Sequence, residues 1–259
     1  MRGGRRIFPR RLRRWPVVVA LALTMTFPAS AAKEGGERAA AEIGDAAYCA
    51  ELSSDSAHRP VLRANRTAAG RIALTFDDGP HPTMTAPILD LLAEYGVQAT
   101  FFVIGVNAEA HPDIVWREIA EGHEIGNHTK THPDLSRLNY RAAAEEVTGA
   151  QSVLFARYEY PPRLLRPPGG EVNENLCRLA DGLDYELILW SVDTRDWAHT
   201  DTATIVRTVC ENISDGDVIL FHDFITGEAH TLEALRELIP QLISRGYEFV
   251  TVSRLFGFD

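Results

Sequence analysis

Arg71-Ile72-Ala73-Leu74-Thr75-Phe76-Asp77-Asp78-Gly79-Pro80 is a short, β-prone run that stops on two adjacent carboxylates and a Gly-Pro breaker. Neighbouring side chains on a strand point to opposite faces. At the end of a strand, the Gly-Pro turn can bend both acids toward one place. Two carboxylates in one pocket repel, and one pKa rises unless a cation lies between them. The pair therefore reads as one metal ligand and one general base. The plain alternative is a solvated Asp-Asp-Gly turn.

Outward from this stretch the chain alternates. Strand-like segments recur at 72–76, 99–104, 123–126, 163–166, 185–190, 217–222 and 247–252, and helical patterns at 87–95, 113–121, 140–157, 205–213 and 232–245. Gly96, Gly122 and Gly246 follow three of the helices, where glycine caps a C-terminus. Strand alternating with helix implies a parallel sheet. About seven strands without a dinucleotide fingerprint predict an α/β fold, a (β/α) barrel that is incomplete in places, with its chemistry at the C-terminal strand ends.

The chain has 259 residues, 45% of them hydrophobic, enough for one domain with a sizeable core. Its first thirty residues stand apart. Seven arginines between Arg2 and Arg14 precede an apolar run from Pro16 to Phe27 and then Ala29-Ser30-Ala31. This pattern predicts a signal peptide over 1–31, with a twin-arginine export route open and a retained anchor as the alternative. Residues 32–70 read as a linker or N-terminal arm, and 71–259 as the folded domain. Without those seven arginines, 19 basic residues face 36 acidic ones, a net charge of −17. Such a surface disfavours nucleic acid and anionic lipid as partners. Cys49, Cys177 and Cys210 are the three cysteines, and both Cys177 and Cys210 fall in helical segments, so a Cys177–Cys210 disulfide is expected over one with Cys49.

Four more clusters end predicted strands. Asn127-His128-Thr129-Lys130-Thr131-His132 places two histidines four apart, a spacing that shares one face of a helical turn. With Asp78 they make three ligands and leave a position for water or substrate, as a catalytic zinc site requires. Two surface histidines in a polar loop are the alternative. Leu165-Arg166-Pro167-Pro168-Gly169-Gly170 can hold Arg166 rigidly and expose backbone N–H groups. Trp190 to Trp197 sets aromatics beside acids, which suits a carbohydrate groove; Trp190 reads equally well as core, and Trp197 as groove wall. Val218-Ile219-Leu220-Phe221-His222-Asp223 delivers a histidine at a strand tip, placed for acid–base work or for a structural role.

Together these motifs resemble the polysaccharide deacetylases of carbohydrate esterase family 4, the NodB homology domain, over residues 71–254. The resemblance implies a distorted (β/α) barrel and a role for each matching residue. Asp77 matches the catalytic base and Arg166 the arginine that holds it. Asp78, His128 and His132 match the metal triad. His222 matches the general acid and Asp196 the acid that orients it. Leu220 matches a residue lining the acetyl-methyl pocket, and Trp197 a groove wall. Gly169 supplies the N–H that faces the oxyanion, but stands where the family often has an aromatic residue, so one wall is missing and the groove is more open.

The implied reaction is hydrolysis of N-acetyl groups from an amino-sugar glycan, peptidoglycan or chitin-like, with one divalent ion, Zn2+ or else Co2+. O-deacetylation of acetylxylan by the same site is the nearest alternative. A catalytically inactive glycan-binding envelope protein is more remote, since none of Asp77, Asp78, His128, His132 and His222 is lost. The expected partner is an N-acetylated poly- or oligosaccharide, and the expected state a secreted or envelope-associated monomer.

Overall fold

The structure, a computed structural model, describes residues 58–258. The predicted signal peptide and most of the predicted arm lie outside the described residues. Eight strands are described: β1 (Arg71–Asp77), β2 (Thr100–Val103), β3 (Glu124–Asn127), β4 (Leu164–Leu165), β5 (Glu186–Leu187), β6 (Val192–Asp193), β7 (Val218–His222) and β8 (Glu248–Phe249). They run in the order β5-β4-β3-β2-β1-β7-β6, with β8 also beside β1, and every pairing is parallel. The helices are α1 (Thr85–Tyr95), α2 (Gly105–Ala110), α3 (Pro112–Ala120), α4 (Tyr140–Tyr158), α5 (Glu174–Gly182), α6 (Thr202–Asn212), α7 (Thr231–Ser244) and α8 (Val252–Phe256).

The period-2 rule sorts β1 into two faces. Ile72, Leu74 and Phe76 join Leu89, Leu92, Leu235 and Leu238 in the core under the helices. Ala73 joins Phe102, Leu164, Ile188 and Val218 in a second core on the inner side of the sheet. Both faces are buried, as a parallel sheet covered by helices demands. Each fully buried aliphatic side chain contributes about 1.5–3 kcal/mol. Gly96 ends α1 as expected, at φ 63°, and its N–H bonds to the Leu92 and Ala93 carbonyls.

Two expectations need correction. The strand expected over 185–190 is only the two-residue β5, and β6 follows beyond it at Val192–Asp193. The Ile188 N–H still donates to the Leu165 carbonyl, but the Ile188 and Leu189 carbonyls accept hydrogen bonds from the Arg166 guanidinium, and Leu62 takes up the Leu187 carbonyl and the Leu189 N–H on the free side of β5. The barrel therefore stays open between β5 and β6, and Leu62 lies along the β5 edge. Residues 58–70 are tied to the domain elsewhere too. His58 Nδ1 lies 2.5 Å from Asp181 Oδ2, and Asn65 Nδ2 donates to the Leu255 carbonyl at 2.7 Å.

The Cys177–Cys210 disulfide does not form. Cys210 is a free thiol on α6, its Sγ 3.7 Å from Gln241 Oε1, and it packs against the core under the helices. Cys177 is disulfide-bonded, but sits in a different cluster with Leu165, Leu176 and Leu187. Helical context alone did not separate the two cores.

On α3, Glu118 is fully buried and neither carboxylate oxygen has a partner among the described residues. Burial, reinforced by Asp223, pushes its carboxyl well above the usual range. An acid with a raised folded-state pKa contributes stability at low pH that is lost as pH rises through that pKa. Glu118→Met should therefore raise the melting temperature by several degrees at pH 8, about 1–3 kcal/mol, and by much less at pH 4. Equal melting temperatures at pH 8 would show that the carboxyl is solvated.

Candidate metal centre and active site

Asp77 ends β1 at the C-terminal mouth of the barrel, and Asp78 follows it. Asp77 continues the inward face of Thr75 and is 3% exposed. Asp78 should point the other way, but takes φ 77°, in the left-handed region that few non-glycine residues adopt. That turn, rather than the Gly-Pro breaker alone, carries both acids to one site. Gly79 follows, and its N–H donates to Asp223 Oδ1 at 3.0 Å. A Cβ on Gly79 would lie 2.0 Å from Asp223 Oδ2, so only glycine fits. Asp223 Oδ2 also accepts from the Thr85 hydroxyl at 2.6 Å. Burial, partly offset by that hydroxyl, pushes Asp223 up to about 7. Nothing in the chain signals this clamp beyond the Asp that follows His222.

His128 follows β3 directly. Its Nδ1 donates to the Arg166 carbonyl at 2.7 Å, which leaves the Nε2 lone pair facing the two acids. His132 is reached through a loop, not through the helical turn that its spacing suggested. Thr129 and His132 both have positive φ, 69° and 61°. Asn127 Oδ1 takes the Thr129 N–H, and the Glu146 carboxylate takes the N–H groups of Lys130 and Thr131. Polar side chains from β3 and α4 thus set the loop's shape in place of helical hydrogen bonds.

His132 Nε2 lies 3.1 Å and His128 Nε2 3.4 Å from Asp78 Oδ1. The donor atoms of Asp78, His128 and His132 all lie within 4.8 Å of one another. Burial would raise the Asp78 carboxyl, but the two imidazoles beside it hold it well below the usual carboxylate range. Asp78 raises the His132 imidazole in turn, against its burial. Despite these contacts Asp78 Oδ1 is a buried oxygen without a well-formed hydrogen bond. Two imidazole nitrogens and an orphaned carboxylate oxygen converging on one point fit a divalent cation of the zinc type.

Arg166 lies beneath this cluster, 0% exposed. Its Nη1 donates to Asp77 Oδ1 at 2.7 Å and to Thr75 Oγ1 at 2.8 Å. Its guanidinium carbon sits 4.0 Å above the Phe102 ring. Trp190 is scaffold: it packs near Arg166 and under Gly170, where a Cβ would lie 2.7 Å from its ring. Gly169, at φ 69°, has open space, since a Cβ there would meet only Glu171 Cγ at 4.0 Å.

His222 ends β7 and is the register partner of Asp77 across the two adjacent strands. Its Nδ1 lies 2.8 Å from Asp196 Oδ1, and Asp196 also takes the His222 and Trp197 N–H groups and the Thr231 hydroxyl. Burial lowers the imidazole, but Asp196, with Asp77 and Asp78 farther off, raises it to about 9. Leu220, two residues back on the same face, is 2% exposed. Trp197 is half exposed, and with Asp78, His132, Phe224 and Ile225 it lines a groove of about 320 Å³. The sequence reading missed Phe224 and Ile225, because an apolar pair after a strand does not by itself signal a groove. All ten expected site residues thus lie around the C-terminal ends of the strands, with Arg166 and Leu220 beneath the mouth.

A barrel mouth that sets a cluster able to hold a cation beside a held carboxylate and a held histidine has the groups that metal-assisted hydrolysis uses. The chain belongs to the polysaccharide deacetylase family, whose model matches residues 64–188. It is 40% identical to a peptidoglycan-N-acetylglucosamine deacetylase of Bacillus cereus, over 72% of this chain and 88% of that one. A solved peptidoglycan N-acetylglucosamine deacetylase, in complex with 4-naphthalen-1-yl-N-oxidanyl-benzamide, superposes with TM-score 0.75 at 37% identity, over 79% of this chain and 95% of that one. A family 4 acetyl xylan esterase from Clostridium thermocellum, in complex with a cobalt ion, gives 0.68 at 34%, over 73% and 91%.

Elemental analysis of purified protein should find about one divalent ion per chain. Asp78→Asn, His128→Ala and His132→Ala should each lose most of it, while Asp77→Asn retains it. Loss of the ion from Asp77→Asn with retention in Asp78→Asn would swap the two acids.

Proposed function

We propose that this protein is an exported, zinc-dependent deacetylase that removes N-acetyl groups from amino-sugar residues of a cell-wall glycan, with acetate as the other product. The observation that carries the reading is the pairing of Asp77, held by Arg166, with His222, held by Asp196, beside the Asp78–His128–His132 cluster. A divalent cation in that cluster supplies Lewis acidity to a carbonyl oxygen and lowers the pKa of a water.

The residues divide the remaining work. Asp77 accepts the water's proton at Oδ2, since Oδ1 is held by Arg166. The Gly169 N–H is the donor assigned to the oxygen that becomes negative. His222, protonated with Nδ1–H on Asp196, gives its Nε2 proton to the departing amine nitrogen. Trp197 offers a face to the sugar ring, and Leu220 packs toward the acetyl methyl.

Ester cleavage on acetylxylan is the second reading. It draws on the likeness to the xylan esterase and on the open space at Gly169, which lets a differently shaped glycan approach. Acetate release from chitin oligomers, peptidoglycan and acetylxylan by one zinc-loaded preparation separates the two. Release from acetylxylan alone would overturn the N-deacetylase reading.

The proton assignments make a further prediction. Activity should fall on the alkaline side as His222 deprotonates. That limb should lie above a free histidine's value of about 6.5 and no higher than about 9, because a bound cation offsets the contribution of Asp77 and Asp78. Asp196→Asn should shift the limb downward, and His222→Ala should cost about 100-fold or more. An unmoved limb in Asp196→Asn would remove His222 from the acid role.

A further inference from the structure

Ile104, Gly105, Val106 and Asn107 join β2 to the first turn of α2. This junction reaches both halves of the cation cluster, and each of its four residues gives one hydrogen bond there. The Ile104 N–H donates to the Gly79 carbonyl at 3.1 Å, and Asn107 Nδ2 to the Asp78 carbonyl at 2.7 Å. The N–H groups of Gly105 and Val106 donate to the Thr129 and Lys130 carbonyls at 2.9 and 3.0 Å. The first two bonds hold the turn that carries Asp78. The other two hold the loop between His128 and His132. The first N–H groups of a helix have no partner within it, and here the histidine loop supplies one. The fit is close, since a Cβ on Gly105 would lie 3.2 Å from the Cα atoms of both Lys130 and Ala150.

Of the four bonds, only the one from Asn107 comes from a side chain. It falls where the backbone is least favourable. Asp78 holds φ 77°, a conformation that costs free energy in any residue but glycine. Two peptide planes set that conformation. The plane before Asp78 is held at the Asp77 carbonyl, which accepts the Asp223 N–H at 3.2 Å. The plane after it is held at both ends, by Asn107 Nδ2 on the Asp78 carbonyl and by Asp223 Oδ1 on the Gly79 N–H. Without the Asn107 bond the second plane is free to turn about the other. The Asp78 carboxylate then loses its fixed place 3.1 Å from His132 Nε2 and 3.4 Å from His128 Nε2.

We propose that Asn107 is a positioning residue for the cation site: by holding the Asp78–Gly79 peptide, it keeps the Asp78 carboxylate beside the two imidazoles. The inference rests on the reading of Asp78, His128 and His132 as a divalent-cation site, and adds to it a residue outside the ligand set. Partners that orient a ligand in this way set metal affinity by about 10–100-fold.

The test is a Co2+ titration of the metal-free chain, followed by the visible absorption of bound cobalt. Asn107→Ala and Asn107→Leu both remove the donor, and the second nearly keeps the shape. Asn107 is half-buried in the first turn of a helix, where alanine is the better helix former, so Asn107→Ala should fold with a metal-free melting temperature close to that of the parent. Each variant should bind Co2+ about tenfold more weakly or worse. In an Asp78→Asn background, titrated at millimolar Co2+, the same changes should weaken binding no further, because Asn107 acts through Asp78. Parental affinity in both Asn107 variants would overturn the proposal and leave the cation reading standing. An equal loss in the Asp78→Asn background would also overturn it, since a general structural role weakens both. A parent chain that takes up no cobalt would overturn the cation reading, and this proposal with it.

Discussion

Arg166 is the residue on which this active site rests. A guanidinium with no solvent exposure must satisfy its donors within the protein. Here Asp77, the Thr75 hydroxyl and the carbonyls of Ile188 and Leu189 receive them. Burial lowers the guanidinium's pKa, and Asp77 works against that. Removing one partner of a buried pair leaves an uncompensated charge, which costs more than the pair contributes. The same residue offers its carbonyl to His128 Nδ1. One side chain and its backbone therefore fix a carboxylate, an imidazole of the candidate metal cluster and the β5 edge together.

That arrangement also explains where the barrel opens. A closed barrel would need the backbone near Ile188 in its ladder. Two of those carbonyls serve Arg166 instead, and the sheet stays unclosed between β5 and β6. The N-terminal segment meets part of the exposed edge through Leu62. An edge covered this way is less open to pairing with other chains.

Around this anchor the mouth is held by residues that never face the groove. Asp223 grips the Gly79 N–H, Glu146 grips the loop between the two histidines, and Asp196 grips His222 through both its ring and its backbone. Asp78 and His132 occupy left-handed backbone that other side chains rarely adopt. Strain of that kind persists only where surrounding contacts over-determine it. The clamps supply those contacts, so the three ligand atoms are brought together by the fold itself.

Much of this was legible in the chain. Strands ending in Asp77, Arg166 and His222 follow from apolar runs and their breakers, and the barrel follows from alternation of strand and helix, because period and punctuation are local properties. The ten candidate site residues follow from type, spacing and family resemblance. What the chain left undecided depends on non-local contacts. Spacing put His128 and His132 on a helical turn, but Asn127 and Glu146 offered the loop better hydrogen bonds. Helical context paired Cys177 with Cys210, but packing put them in separate cores. Trp190 read equally well as core or groove until the Pro-Gly turn closed over it. The sequence by itself determined the strands, the chemistry at their tips and the family. Tertiary structure decided which backbone turns inward at Asp78, which carbonyls Arg166 claims and where the barrel stays open, because each depends on residues far apart in the chain competing for the same buried partner.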